Sequence, residues 1–203
     1  MKLSLTATKA INILIQNGYK AYAVGGAVRD GYLMRDISDV DVTTSATPNE
    51  VIEVFSGYTV IPTGIKHGTV TVLIEGYPLE ITTFRVEGEY LDGRRPSSVA
   101  FTRNLKEDVA RRDFTMNAMA MDVRGEVYDY FGGRVDLKNG IIRAVGEATT
   151  RFEEDALRIM RALRFASVTG FEIEAATAEA LFECKEMLTR ISAERIREEL
   201  VKL

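Results

Sequence analysis

The sequence predicts an α/β (α+β) domain with a mixed β-sheet, followed by an all-α region. Up to about Val145, short apolar segments alternate with turns and a few helices, whereas from Thr149 onward the pattern is almost wholly helical. With 203 residues and 46% hydrophobic content, the chain can bury one ordinary core and a smaller one. We therefore expect a head domain over residues 1–147 and a helical neck domain over residues 148–203.

Cysteine content and the N-terminal sequence indicate the cellular compartment. The single cysteine, Cys184, excludes an intrachain disulfide framework and fits a reducing compartment. The first 18 residues predict an amphipathic helix that ends at Gly18, with no signal peptide or membrane span. We therefore expect a cytoplasmic protein that makes no membrane contact.

The charge distribution bears on partners. A net charge of −4 argues against extensive contact with an RNA backbone. Arginines nevertheless cluster locally at Arg94, Arg95, Arg111, Arg112, Arg158, Arg161 and Arg164. The sequence therefore allows a positive cleft within an acidic molecule, and Arg161 and Arg164 are candidate nucleotide-binding residues.

The first α/β unit carries an anion-binding pattern. Lys20 to Val24 predict a strand, Gly25-Gly26 a turn, and Ala27 to Met34 a helix. Glycines let the backbone approach a ligand, and the N–H groups of a following helix attract anions. Arg29 is expected in the first helical turn, where a cation is unfavourable unless a polyphosphate offsets it. Gly25, Gly26 and Arg29 are therefore predicted to bind a triphosphate.

Two aspartates follow in an extended segment. Side chains alternate along such a segment, so Asp39 and Asp41 project from one face while Val40 and Val42 point into the core. Two hard oxygen ligands, completed by waters and phosphates, are typical of Mg²⁺ sites. The pair is therefore predicted to hold two Mg²⁺ ions and to be catalytic. The alternative is a polar turn with one capping aspartate and one surface ion pair.

The next elements flank that segment. Thr47 to Glu50 form a capping-box pattern that starts a helix through Phe55. Gly68–Glu75 and Pro78–Phe84 predict a hairpin, turning at Gly76-Tyr77, beside the aspartate strand. Glu80 on its second arm is a candidate third carboxylate for the metals, although outward-facing strand glutamates are common.

Many sequence blocks, in one order, resemble a single family. The blocks are GGAVRD, DVDVTTSATP, KHGTVTV, LEITTFR, LDGRRP, RRDFTMNAMAMD, FGG, RFEEDALRIMRALRFA and SAERIREEL. Together they resemble the catalytic portion of bacterial class II tRNA nucleotidyltransferases, the CCA-adding enzymes, from about Tyr19 to the C-terminus. The resemblance implies a polymerase-β-like nucleotidyltransferase head and a helical neck, truncated before body and tail regions. It also implies Mg²⁺, the substrates CTP and ATP, and the 3′ end of the tRNA acceptor stem as partner.

Residues 86–98 predict a loop without usable periodicity. The family resemblance implies that it helps the site change from cytidine to adenosine addition, with Asp92, Arg94 and Arg95 as its working residues. The alternative is a surface loop with no such role.

A basic and acidic cluster follows the loop. Asn117 lies one helical turn beyond Asp113, so the two can share a face. A carboxylate can accept from ribose hydroxyls while Arg111 and Arg112 hold phosphates. The resemblance implies ribose selection by Asp113, and the alternative is a helix N-cap.

A second cluster opens the neck. On a continuous helix, Asp155 and Arg158 would present an acceptor and a fork of donors in one direction. Cytosine and adenine offer a matching amino donor beside a ring-nitrogen acceptor, while uracil and guanine offer the reverse. The resemblance implies base templating by Glu154, Asp155 and Arg158. The alternative is an ordinary Glu154–Arg158 ion pair on a solvated face.

These features predict template-independent addition of CCA to tRNA 3′ ends by two-metal-ion nucleotidyl transfer. Addition of A only or of CC only remains open, as does a poly(A) polymerase, although KHGTVTV disfavours the last. A hypothesis from another class is a truncated nucleotide-binding module without transferase activity. Oligomeric state does not follow from the sequence.

Overall fold

A computed structural model of the chain describes residues 3–37, 39–88 and 99–203, without the side chain of residue 87. The strands are β1 (Ala21–Val24), β2 (Asp41–Thr44), β3 (Thr59–Ile61), β4 (Thr69–Ile74), β5 (Tyr77–Thr83), β6 (Arg85–Glu87), β7 (Val99–Phe101), β8 (Met119–Met121), β9 (Val127–Asp129), β10 (Ile141–Ile142) and β11 (Glu172–Ile173). The α-helices are α1 (Leu5–Gln16), α2 (Gly26–Tyr32), α3 (Pro48–Val54), α4 (Leu105–Ala110), α5 (Gly133–Asn139), α6 (Ala148–Glu154), α7 (Leu157–Thr169), α8 (Ala175–Glu183) and α9 (Ala193–Leu200). Short 3₁₀ helices lie at Ile65–His67, Thr115–Asn117 and Lys185–Arg190.

The main sheet is mixed, as the sequence predicts. Its strand order is β3-β4-β5-β2-β1-β8-β9, and β2 runs parallel to β5 while the other neighbours are antiparallel. The strand that begins at Asp41 therefore lies at the centre, between β5 and β1. This arrangement confirms the predicted α/β (α+β) fold class and places both candidate metal-binding strands side by side.

Two local predictions are tested by the backbone. The capping box at the start of α3 is present, with Thr47 accepting from the Glu50 N–H and Glu50 accepting from the Thr47 N–H. The β4–β5 hairpin is also present, but it turns at Glu75-Gly76 rather than at Gly76-Tyr77. Both turn residues have positive φ, 54° and 84°, as a two-residue hairpin of type I′ requires.

The helices that follow the sheet share a core with it. Phe152 and Ile159 pack in the same buried cluster as Met116 and Met119. β11 pairs in parallel with β10, so the mostly helical part also contributes a two-residue strand. The neck is therefore packed against the head, and the boundary between residues 147 and 148 stays a prediction. Within the described ranges, no helix combines the length and apolar character needed to span a bilayer.

Candidate active site

The turn between β1 and α2 requires glycine. Gly25 has a φ of +69°, a left-handed conformation that side chains rarely adopt. A Cβ at this position would lie 2.9 Å from Nη1 of Arg112, too close for a normal contact. The predicted strand, glycine turn and helix are all present, and the turn's close neighbour is a guanidinium.

The prediction for Arg29 is wrong in one respect. α2 runs only from Gly26 to Tyr32, so Arg29 lies in its last turn rather than its first. Its Nε and Nη2 donate to Asp30, both at 2.8 Å, and its Nη1 donates to Oδ1 of Asn117 at 2.9 Å. The positive charge is therefore already balanced by the adjacent carboxylate, which explains why it is tolerated without a polyphosphate.

The two aspartates share one groove, as predicted. β2 begins at Asp41, and Asp39 lies just before it. Both side chains are exposed, while Val40 is half-buried and Val42 is fully buried, which is the expected alternation. Asp39 and Asp41 line a groove of about 820 Å³ on the β4–β5 side of the sheet.

Glu80 lies beside this pair. β5 is parallel to β2 with Val42 opposite Ile81, so the preceding residues, Asp41 and Glu80, lie side by side on the same face. Adjacent strands are about 4.8 Å apart, within reach of a shared cation. Glu80 lines the same groove as both aspartates and, with Asp41, a second one of about 150 Å³. Its role as a third carboxylate for the metals stays a prediction.

The donor chemistry at the groove fits Mg²⁺. Among residues 3–37, 39–88 and 99–203, no group of three or more His, Cys, Asp or Glu side chains is arranged to hold a metal by itself. Mg²⁺ is usually bound by one or two carboxylates, with waters and substrate phosphates completing the shell. An exposed pair of hard oxygen donors, rather than a closed protein cage, is what such an ion requires.

Arg112 is the least satisfied polar side chain of the site. Its Nε is buried and has no hydrogen-bond partner among the described residues. Burial lowers the pKa of this guanidinium, and the negative charges of Asp108, Asp41 and Asp113 only partly oppose that effect. A buried, unpaired donor is costly, so a native fold that retains one indicates a missing acceptor.

Asp113 forms the predicted pair with Asn117, but not on an α-helix. The segment is a 3₁₀ turn over Thr115–Asn117, and Asp113 accepts from the Asn117 amide at 3.0 Å and the Phe114 N–H at 2.8 Å. Its other oxygen binds Nε and Nη2 of Arg161, at 2.8 and 2.6 Å. Burial would raise the pKa of Asp113, but the Arg161 charge and these hydrogen bonds lower it below its ordinary value.

Arg111 forms an ion pair with Asp108, a carboxylate that the sequence patterns did not indicate. Asp108 is fully buried and accepts from Nε and Nη2 of Arg111, at 3.1 and 3.0 Å. It also accepts from the Thr43 hydroxyl on β2 and from the Arg85 N–H on β6. In the sequence, the one sign of a role for Asp108 is that it lies four residues before Arg112. That spacing is common between oppositely charged residues in helices.

The glycine turn, Arg29, Arg112, Asp113 and Asn117 line one cleft of about 220 Å³ together with Asp41. The residues that line it are Gly25, Gly26, Arg29, Asp41, Arg112, Asp113, Asn117, Arg161, Arg164 and Phe165. Three of its arginines, Arg29, Arg161 and Arg164, lie over the Phe165 ring, at 5.0, 5.4 and 4.2 Å from its centroid. A positive cleft within an acidic chain is therefore present, and Phe165 is a contributor that sequence reasoning missed.

The predicted continuous helix through Glu154 to Arg158 is wrong. α6 ends at Glu154, Asp155 is extended (φ −147°, ψ 102°), and α7 begins at Leu157. Asp155 follows the end of α6, and its Oδ1 accepts from the N–H of Leu157, the first residue of α7, at 3.1 Å, so it lies in the break between the two helices. The i to i+3 alignment of Asp155 and Arg158 does not occur.

Arg158 points into the protein rather than along a solvated face. It is buried, and it donates to Oε2 of Glu154 at 2.6 Å and to the carbonyl oxygens of Arg151 and Arg111 at 3.0 Å. The Glu154–Arg158 ion pair of the alternative interpretation is therefore present, but buried. The hydrogen bond from Arg158 to the Arg111 carbonyl oxygen connects α7 to the segment that carries Arg112.

Comparisons with known proteins identify the family. Residues 21–143 match the family model described as the poly A polymerase head domain, and residues 170–203 match one described as the probable RNA and SrmB-binding site of polymerase A. The chain belongs to the poly A polymerase head domain family. The matched span contains β1, α2, β2 and the Arg111–Asn117 segment, so the cleft described above lies largely in the family's defining region.

Relatives and solved structures agree with this assignment. The chain is 54% identical over 200 residues to a CCA-adding enzyme of Lactobacillus johnsonii, covering 98% of this chain and 49% of the relative. It is similar to the crystal structure of the Bacillus stearothermophilus CCA-adding enzyme in complex with CTP, with a TM-score of 0.88, 49% identity, and coverage of 97% and 47%. It is also similar to the Thermotoga maritima CCA-adding enzyme complexed with tRNA-CCA, with a TM-score of 0.78, 30% identity, and coverage of 96% and 46%.

The resemblance deduced from the sequence motifs is thereby confirmed. The chain spans about half the length of the curated relatives it matches. The predicted loop residues Asp92, Arg94 and Arg95 lie outside the described residues, so their role stays a prediction. The similarity extends across the whole described fold, from α1 to α9.

Proposed function

We propose that this chain is the catalytic part of a tRNA nucleotidyltransferase that adds CCA to tRNA 3′ ends from CTP and ATP. The observation that supports this most strongly is the cleft beside Asp41, where Arg112 has a buried Nε with no hydrogen-bond partner in the described part of the chain, among further arginines. A triphosphate supplies the acceptor that this donor lacks. Conserved similarity to CCA-adding enzymes along the described fold supports the choice of reaction.

The reaction follows from this placement. The 3′-hydroxyl oxygen of the tRNA forms a bond to the α-phosphorus of the nucleotide, and the bond from that phosphorus to the bridging oxygen breaks. Pyrophosphate leaves and the hydroxyl proton is released. In this arrangement Gly25 and Gly26 let the triphosphate approach the backbone, and Arg112 donates to it. Arg29 and Arg164 line the same cleft, although each is already paired with a carboxylate, Asp30 and Glu199 respectively.

Asp39 and Asp41 would hold two Mg²⁺ ions, with Glu80 as a third carboxylate. Bound there, the ions would lower the pKa of the attacking hydroxyl and offset charge on the leaving group. The exposed carboxylates on adjacent strands β2 and β5 support this assignment. Arg111, bound by Asp108, lines the smaller groove of about 150 Å³ together with Asp41 and Glu80, and offers a further cation to phosphate oxygens.

Ribose recognition is assigned to Asp113 and Asn117. All four acceptor positions of the Asp113 carboxylate are taken, by Phe114, Asn117 and two nitrogens of Arg161. A ribose hydroxyl would therefore bind by displacing one of these donors. The Asn117 amide is uncharged, unlike Arg161, and its side chain can rotate away, unlike the Phe114 backbone N–H. Because that displacement costs free energy, binding is favoured for a ligand that carries phosphates as well as a ribose, since the phosphates can bind Arg161.

Base selection is assigned to Asp155, supported by Glu154 and Arg158. A carboxylate accepts from the exocyclic amino group that cytosine and adenine share, and it repels the carbonyl oxygen of uracil or guanine. Each mismatched polar contact costs about 1 to 3 kcal/mol, or a factor of about 5 to 150. The negative charge of Asp155 also raises the pKa of Arg161, after the larger effect of Asp113, which supports a position of Asp155 close to this cleft residue.

The wider assignments follow the same proposal. The acceptor would be the 3′ end of a tRNA acceptor stem, and the setting would be the cytoplasm. The head would comprise residues 1–147 and the neck residues 148–203.

Primer extension at single-nucleotide resolution tests the proposal. A tRNA lacking its 3′ end is incubated with the chain, Mg²⁺, and CTP, ATP, UTP or GTP, singly and together, with Asp41→Asn as the inactive control. Addition of two C and one A, followed by arrest, is the expected result. Repeated A addition would instead identify a poly(A) polymerase, and arrest after CC or addition of A alone would identify the partial enzymes. Binding of CTP and ATP without extension would identify a nucleotide-binding module.

A further inference from the structure

The base-selecting carboxylate is bound by a residue from the last helix. Arg195 on α9 donates from Nη1 to Oδ1 of Asp155 at 3.0 Å and from Nη2 to Oδ2 at 2.8 Å. The two side chains are about one-fifth exposed, at 21% and 19%. This is the parallel, two-bond geometry in which a guanidinium fixes both the position and the plane of a carboxylate.

Counting acceptor positions shows what remains for a ligand. A carboxylate has about four, two on each oxygen. Oδ1 of Asp155 is filled by the Leu157 N–H and by Arg195, whereas Oδ2 receives one bond from Arg195. Asp155 therefore retains a single acceptor position, on Oδ2, in an orientation that Arg195 determines.

α9 itself is anchored at the cleft. Glu199, only 3% exposed, accepts from Nε of Arg164 at 2.6 Å and lies 3.6 Å from Nη1 of Arg161. Both arginines line the cleft beside Asp41. The helix that carries Arg195 is therefore fixed to the nucleotide-binding arginines one turn further along, and Arg195 has little freedom to follow Asp155 if that side chain turns.

We propose that Arg195 is a specificity-determining positioning residue: it fixes the Asp155 carboxylate so that one acceptor position faces the amino group of an incoming cytosine or adenine. This inference rests on the proposed function, in which Asp155 selects the base. Without the fork, the carboxylate can rotate and use several acceptor positions, including through a water that a uracil or guanine carbonyl can share. Arg195 thus restricts the choice of base without touching it.

Equilibrium titration of the full chain with CTP, ATP, UTP and GTP tests this directly. Arg195→Gln should reduce the preference for CTP over UTP by about 10-fold or more, mainly by weakening CTP, because one oriented contact is lost. Arg195→Lys keeps the charge but not the fork and should give an intermediate preference. Arg197→Gln, an exposed arginine on the same helix, is the matched control and should leave all four affinities unchanged.

A double-mutant cycle separates this inference from the function on which it rests. In an Asp155→Asn background, Arg195→Gln should cause no further change in preference. If Asp155→Asn leaves the preference intact, base selection by Asp155 is wrong. If Asp155→Asn removes the preference while Arg195→Gln and Arg195→Lys retain it, only the role of Arg195 is wrong. Tighter CTP binding by either Arg195 variant would also overturn it, because Arg195 would then compete with the base.

Discussion

Replacing Arg112 with methionine should separate stability from nucleotide binding. Methionine keeps most of the side-chain length and removes a buried guanidinium whose Nε has no partner among the described residues. Burial, together with the like charge of Arg111, lowers the pKa of this group despite the attraction of Asp108, Asp41 and Asp113. The native state therefore bears a cost at Arg112 that the substitution removes.

Arg112→Met should raise the stability of the fold and lower its affinity for CTP. Leaving a buried donor unpaired costs about 1 to 3 kcal/mol, so Arg112→Met should raise the free energy of unfolding by about 1 kcal/mol after the lost attractions are deducted. A hydrogen bond to a charged group contributes about 1.5 to 3 kcal/mol, so its loss should weaken CTP binding by about 10- to 150-fold. The variant should be at least as stable as the parent and bind poorly.

Arg161→Met is the matched comparison within the same cleft. Here the Asp113 charge raises the pKa of Arg161, which shows that the folded state favours this cation. Its removal leaves Asp113, 8% exposed, without its ionic partner. Breaking a buried pair costs about 3 to 5 kcal/mol, and the low end applies because the Arg161 side chain is 31% exposed.

Urea unfolding followed by circular dichroism, with CTP titration of each folded variant, gives both quantities. The account predicts opposite changes in unfolding free energy for the two variants and a loss of CTP affinity in both. Equal destabilisation by Arg112→Met and Arg161→Met would refute the claim that Nε of Arg112, which has no partner among residues 3–37, 39–88 and 99–203, destabilises the native state. Unchanged CTP affinity in Arg112→Met would refute its role in binding the triphosphate.

Two further predictions concern carboxylates. Because the folded state lowers the pKa of Asp113, its stabilising contribution is present above its unfolded pKa of about 3.9 and is lost as pH falls through the folded value. Asp113→Asn should therefore be less stable than the parent at pH 7 and lose less stability than the parent on acidification below about pH 5. Urea unfolding at a series of pH values measures both effects, and parallel pH profiles for the two proteins would contradict the prediction. Glu80→Gln should raise the Mg²⁺ concentration needed for half-maximal primer extension by about 10-fold or more, since one charged ligand is lost. An unchanged Mg²⁺ requirement would assign Glu80 to the surface.

The parts of the fold that follow from local rules could be predicted from the sequence. The glycine turn before α2, the capping box at Thr47 and the hairpin beside β2 each depend on residues a few positions apart. The shared face of Asp39 and Asp41 follows from strand alternation alone. These elements position Gly25, Gly26 and Asp41 at one side of the cleft, which explains why the placement of these residues was predictable.

The other side of the cleft depends on distant partners. Periodicity favours one helix through Asp155. In the structure the Asp155 carboxylate instead accepts from the Leu157 N–H and from Arg195, 40 residues later, and Asp155 lies between two helices. Asp113 likewise meets Arg161 across 48 residues. No local pattern distinguishes these arginines from ordinary surface ones, so the pairs that orient the base-selecting end required the folded structure.

A crystal structure of the chain with CTP and Mg²⁺ would test the central claim most directly, that a single cleft from Asp41 to Asp155 binds the incoming nucleotide. The account predicts a triphosphate oxygen within hydrogen-bonding distance of Nε of Arg112. It also predicts the cytosine amino group on Oδ2 of Asp155, with Arg195 still bound to that carboxylate. A nucleotide bound elsewhere, or an Arg112 Nε that stays unpaired in the complex, would contradict the account.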